Sequence, residues 1–199
     1  MCATTTGPPD QRFIECRNRC TYAIATAAIF QNRARKYTKY LQRLTFLGLA
    51  LPASIGGVVA ADLAGGGTLK EFIWIAGFVG VVQLIVTLWS AVADWPGKLE
   101  SSLSASGENS RLADEFDALA KTFNNPPLNF DILFEKLKAQ DGAQNIADKR
   151  QLITKEEEIY GHRAALYQFR IACAVCKNVP NSREIPGTVT TRCETCGGN

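Results

Sequence analysis

Four of the seven cysteines in this chain stand at metal-ligand spacing. Cys173-Ala-Val-Cys176 and Cys193-Glu-Thr-Cys196-Gly197-Gly198 are two CxxC knuckles with 16 residues between them. Thiolates paired in this way can surround one ion tetrahedrally, with Zn–S bonds near ~2.3 Å. The glycines after the second knuckle permit a tight turn that aims backbone N–H groups at the sulfurs, and Pro180 and Pro186-Gly187 suit a short ribbon hairpin. Because all four ligands are protein sulfurs, no coordination position stays open, and the Zn2+ expected here is structural. The competing reading is four free thiols in a tail.

The other reactive side chains point away from catalysis. Cys16 and Cys20 could form a third knuckle, but they fall on an apolar helical seam, where a cysteine acts as a small buried hydrophobe. His162 is the only histidine, with no nucleophile near it in sequence. Glu156-Glu157-Glu158 reads as a solvated helix face, and Gly65 to Gly67 lacks the Lys-Ser/Thr of a phosphate loop. No enzyme is expected.

The elements that position these groups are dominated by apolar runs. Phe72 to Ala93 is 22 residues without a charge, and Leu44 to Ala61 is 18. About 20 apolar residues cross a bilayer core, so the two runs predict a transmembrane hairpin over 44–61 and 72–93. The mean hydropathy of −0.05 hides this because the rest is polar. Residues 1–43 carry eight Lys or Arg against Asp10 and Glu15, while from Asp94 onward 13 basic residues face 15 acidic ones. Arg33, Arg35, Lys36, Lys39 and Arg43 crowd the first run and predict a cytoplasmic N-terminus. Two spans return the C-terminus to the same reducing compartment, where disulfides are disfavoured. More than 40 polar residues precede the first run, which argues against a cleaved signal.

Residues 1–10 read as a loose lead-in. Over 11–43, Phe13, Cys16, Cys20, Ala23, Ala27, Phe30, Ala34, Tyr37, Leu41 and Leu44 recur at steps of three and four. This a/d seam predicts a long cytoplasmic helix able to self-associate. Within 44–93, Gly48, Pro52, Gly56 and Ala60 form a small-residue stripe suited to helix packing, Pro52 a possible kink, and Ala64 to Thr68 a turn. Gly80, Gln83 and Thr87, with Ala76 and Ser90, share one face of the second run. An amide at Gln83 implies either an interhelical hydrogen bond or a face lining a pore in an assembly. Residues 94–172 predict cytoplasmic helices: a Ser-rich loop or frayed helix over 101–110, then helices stopped at Asn124 to Pro127 and at Asp141-Gly142. Thr154 and Glu157 form a capping box at a restart. Residues 173–199 form the zinc ribbon. The expected fold is an all-α membrane protein: a two-helix transmembrane hairpin, a long N-terminal helix, a C-terminal helical bundle and a small zinc ribbon.

The segment from Arg19-Cys20-Thr-Tyr-Ala-Ile-Ala-Thr-Ala-Ala-Ile-Phe30-Gln-Asn-Arg-Ala34 through Pro52-Ala-Ser-Ile-Gly-Gly57 resembles the SLATT families of bacterial two-span effectors. With its paired knuckles the chain is similar to a mobile-element branch described by CxxC…CxxC motifs, and the stretch between its knuckles is longer than that branch's. The resemblance implies an antiphage effector of the bacterial inner membrane that forms homo-oligomers and permeabilises the bilayer in abortive infection. It also implies a neighbouring-gene partner: a nucleotide sensor, a nucleotide synthase or a reverse transcriptase. The alternative is a membrane-tethered adaptor whose zinc ribbon binds a protein or nucleic acid. Lys177, Arg183 and Arg192 give nucleic acid only slight electrostatic support, so direct nucleic-acid binding is not expected. A constitutive small channel is the third reading.

Overall fold

In a computed structural model, residues 11–61, 69–185 and 193–198 are described. They form α1 (Gln11–Ala61), α2 (Leu69–Val92), α3 (Trp95–Lys121), a 3-10 turn at Thr122–Asn124, α4 (Phe130–Lys149) and α5 (Lys155–Phe169). No strand occurs among the described residues. The lead-in with Cys2, the turn at 64–68, the Pro186-Gly187 pair and the side chains of Pro52, Gly56 and Ala60 lie outside the described residues. The chain divides into two units, Met1–Asn32 with Ser102–Asn199, and Arg33–Ser101.

In the first unit the α1 seam finds its partners within the chain. Cys16, Cys20 and Ala23 pack with Leu112, Ala113, Phe116 and Leu119 of α3 and with Phe130, Phe134 and Leu137 of α4. Small seam residues leave room for the large side chains opposite, each worth ~1.5–3 kcal/mol when fully buried. Phe13 closes one end, its ring 4.7 Å from both Phe123 and Phe130. This part of the seam, expected to associate with another copy, is therefore occupied by the chain's own helices. Cys16 and Cys20 are 0% and 2% exposed, and burial pushes the Cys16 thiol up to about 11, with Glu15 adding to the shift and Arg19 opposing it. They are core hydrophobes.

Two sequence expectations change. The serines over 101–110 lie inside α3. Ser102, Ala105, Asn109 and Leu112 are buried at helical spacing, and Ser106 Oγ donates to the Ala27 carbonyl at 3.1 Å. Ser106 thus serves close packing against α1, while Asn109 turns its amide to Asp148 of α4. Similarly, α4 runs through Asp141-Gly142 to Lys149. One interior glycine costs ~1 kcal/mol, and anchoring at both ends outweighs it: Phe130, Phe134 and Leu137 before it, Asp148 after it. The restart at Thr154 is as expected, a complete capping box with Glu157.

Asp148 is a buried carboxylate that accepts from Asn109 Nδ2 at 2.7 Å and Gln144 Nε2 at 2.8 Å. Burial raises its pKa above 3.8, the two amides oppose the shift, and the Asp141 charge adds to it. The folded chain therefore holds a proton that the unfolded chain releases. That contribution is present at low pH and lost as pH rises from 3.8 through the folded value. The melting-temperature difference between Asp148→Asn and wild type should grow in the variant's favour across that window. A pH-independent difference would contradict it.

In the second unit, α2 presents a broad apolar face outward, while Val79 and Gln83 are half-buried and Ser90 is buried on the other side. Trp74, Phe78, Val81, Leu84, Ile85, Leu88, Trp89 and Val92 are all exposed, Trp74 and Val92 by 81%. Asp94, at φ 50°, caps α3 by accepting from the Gly97 N–H at 3.2 Å. Among the described residues no single helix is long and apolar enough to cross a membrane. One bent pair, Gly77–Val92 with Trp95–Asn124 at 43°, passes by length and composition.

Candidate metal centre

The centre is assembled by α5 and two matched turns. After α5 the chain reverses at Arg170, in the left-handed conformation at φ 55°, and the Ile171 N–H closes back on the Leu166 carbonyl at 3.0 Å. This reversal delivers Cys173, and Leu166 packs against Cys173 and Cys196.

The two knuckles repeat one backbone pattern. The Lys177 N–H donates to the Cys173 carbonyl at 2.9 Å, and the Gly197 N–H donates to the Cys193 carbonyl at 2.8 Å. The Cys173 N–H donates to Asn178 O at 3.0 Å, and the Cys193 N–H donates to Gly198 O at 2.8 Å. Lys177 and Gly197 occupy equivalent left-handed positions, φ 61° and 63°. Glycine adopts this conformation freely, while a side chain costs ~1–2 kcal/mol there. Lys177→Gly should therefore raise stability by about 0.5–1 kcal/mol, the unfolded-state entropy of glycine offsetting part of the gain. Equilibrium denaturation of the two proteins checks it. The same exchange reversed at Gly197 would also crowd the core, since a Cβ would lie 3.0 Å from Cγ2 of both Ile159 and Ile185.

The four Sγ atoms lie within 4.8 Å of one another. Cys173 to Cys193 is 3.8 Å and Cys176 to Cys196 is 3.5 Å. A tetrahedral ion with ~2.3 Å bonds sets its sulfurs about 3.8 Å apart, whereas a disulfide needs ~2.05 Å. The spacing fits an ion and no cross-link. Backbone N–H groups of Cys196 and Thr195 draw the Cys193 thiol down, while burial pushes Cys196 up. A bound cation favours the thiolate at all four positions. Soft tetrahedral S4 sets select zinc or iron, and the centre can hold one such ion in a closed structural shell.

Arg163 of α5 is the group that sequence reasoning missed. It is 3% exposed, and its Nε donates to the Ser182 carbonyl at 3.0 Å and its Nη1 to the Cys196 carbonyl at 3.2 Å. It thus clamps both the inter-knuckle stretch and the second knuckle, beside a cavity of about 320 Å³ shared with Asn178, Pro180 and Asn181. Four thiolates around a divalent ion carry a net charge of −2, and a buried guanidinium offsets it. Its sequence signal is a lone cation within Gly161 to Leu166, where every other residue but His162 is small or apolar. Arg163→Met should weaken metal binding ~10–100-fold in a chelator competition. An unchanged affinity would remove Arg163 from the centre.

The remaining candidates are placed separately. His162 is half-buried on α5, and Arg183 lines a small cavity with Asp114. Gln83 is half-buried, its Nε2 3.4 Å from where a Cβ on Gly48 would stand. Gly80 and Thr87 are exposed, and the Thr87 hydroxyl donates to the Gln83 carbonyl at 2.9 Å.

A family model described as the mobilome CxxCx(11)CxxC protein matches residues 14–199. Its 11-residue spacer compares with 16 here, and the longer stretch includes Ser182, which Arg163 holds. No curated protein and no solved structure matches the chain.

Proposed function

The chain belongs to the mobilome CxxCx(11)CxxC protein family, and from this premise we propose an antiphage effector of the SLATT type in the bacterial inner membrane. On an upstream signal it oligomerises and permeabilises the bilayer, and it performs no chemistry of its own. The observation that carries the reading is α2: a helix of 24 residues with a broad exposed apolar face running from Trp74 through Phe78, Val81, Ile85 and Leu88 to Val92. Soluble monomers seldom expose apolar patches beyond a few hundred Å², and lipid is the solvent that such a surface suits. The described stretch from Gly77 stops short of the ~20 residues of a crossing. Phe72, Ile73, Trp74 and Ile75 precede it in the same helix and complete the length. Zn2+ is the proposed ion, as a cross-link that braces α5.

Oligomerisation uses a surface other than the filled part of the α1 seam, and α2 offers one. Gly77 and Gly80 have open space where a Cβ would stand, so a neighbouring helix can approach closely. Exposing Gln83 to a pore requires the α1 segment bearing Gly48 to move away from it. An inducible gene expressed with and without its genomic neighbour, followed by a membrane-potential dye, tests the proposal. Depolarisation only with the trigger supports it. A polarised membrane under triggering conditions, with the protein present in the membrane, contradicts it.

The cavity beside the metal centre favours one other reading, a tethered adaptor that captures a partner there. Arg163→Met discriminates: the adaptor loses capture with no change in depolarisation.

A further inference from the structure

Four cations on α1 are left without an acidic partner. Arg35, Lys36, Lys39 and Arg43 are exposed, and none forms an ion pair among the described residues. By contrast Arg12, Arg19, Arg111, Lys121 and Lys138 each face a carboxylate. The unpaired cations fall within nine residues and end where the apolar run at Leu44 begins. Directly beside them is a groove of about 410 Å³, walled by Leu41, Thr45, Phe46 and Leu49 of α1 and Leu99 of α3.

Helical spacing joins the two features. Arg35, Thr38, Gln42, Thr45 and Leu49 succeed one another at steps of three and four, so they share a stripe. Lys39, Arg43 and Phe46 form the adjacent one. The Thr45 hydroxyl is satisfied by the Leu41 carbonyl at 2.9 Å. Tyr40 and Trp95 lie beside this stretch with ring centroids 5.6 Å apart and tilted by 35°, an aromatic pair that suits a membrane–water interface.

We propose that this collar and groove bind one anionic phospholipid, the phosphate on Arg35, Lys39 and Arg43 and an acyl chain along Thr45, Phe46 and Leu49. Charge complementarity selects the anion, and the apolar groove running on from the cations selects a lipid over a free phosphate. The site rests on the membrane reading above and adds a lipid preference to it.

The full chain, reconstituted into nanodiscs with equal phosphatidylglycerol and phosphatidylcholine, is examined by native mass spectrometry for the lipids it retains. Phosphatidylglycerol should exceed phosphatidylcholine at least tenfold. The Arg35→Gln/Lys39→Gln/Arg43→Gln variant should retain the two lipids about equally, each cation removed costing up to about fivefold in preference at ~1 kcal/mol. Arg35→Lys/Arg43→Lys should keep the preference. Glycerol phosphate, with the charge and no acyl chain, should not compete. Equal retention of the two lipids by the wild-type chain, or displacement by glycerol phosphate or by an oligonucleotide, overturns the lipid site while the membrane reading stands. A chain that enters no bilayer overturns both.

Discussion

Removing the metal, by chelation or by Cys193→Ser with Cys196→Ser, is expected to unfold residues 171–185 and 193–198 while the core of α1, α3 and α4 persists. Three observations converge on this. The sulfurs stand at tetrahedral spacing, the two knuckles share one backbone pattern, and the apolar neighbours are few: Leu166 and Ile171 around the cysteines, with Ile159 and Ile185 beside Gly197. So small a cluster cannot offset the conformational entropy of ordering the 21 described residues of this region, at ~1–2 kcal/mol of backbone each. A structural zinc ion contributes an apparent ~10–16 kcal/mol in comparable small domains, which makes this the largest single effect expected. Elemental analysis should find one zinc per chain, and hydrogen exchange should show protection lost over 171–185 and 193–198 on chelation. Iron in place of zinc would change the ion and leave the fold argument intact. No bound metal, with protection unchanged by chelators, would contradict it.

Gly161→Ala is the point substitution expected to cost most. A Cβ at this position would lie 2.5 Å from the Ala25 carbonyl oxygen and 2.7 Å from Ile29 Cγ1. The first of these is backbone, which no rotamer change can move aside, so α5 must back away from α1. Overpacking of this kind costs about 3 kcal/mol or more, and it would separate the Ala164 and Ala165 contacts as well. Thermal unfolding checks the size, and a second variant checks the cause. Ile29→Ala removes the flexible contact alone, so the double variant should recover little of the loss. Full recovery would place the strain in the Ile29 side chain instead.

What could be seen in the sequence was whatever depends on local spacing. The knuckles, the α1 periodicity and the Thr154–Glu157 box are set by residues within a few positions of one another, and each has the structure its spacing implies. Less visible was what depends on a partner distant in the chain. A serine-rich stretch gives the same local signal in a loop and in a tightly packed helix; Ala27 decides between them at Ser106. The Asp141-Gly142 pair reads as a stop until burial at Phe134 and Asp148 is known. Arg163 likewise gains its meaning only from carbonyls contributed 19 and 33 residues later. Periodicity shows that the α1 seam must be covered, and it leaves open whether α3 and α4 or a second copy covers it.

Alkaline carbonate extraction tests the central claim most directly, because it strips peripheral proteins and leaves bilayer-spanning chains behind. The full chain, expressed at low level and fractionated, should remain in the membrane pellet at pH 11 and leave it only with detergent. Recovery of a monodisperse chain in the aqueous supernatant would mean that protein, not lipid, covers α2, and would contradict the account.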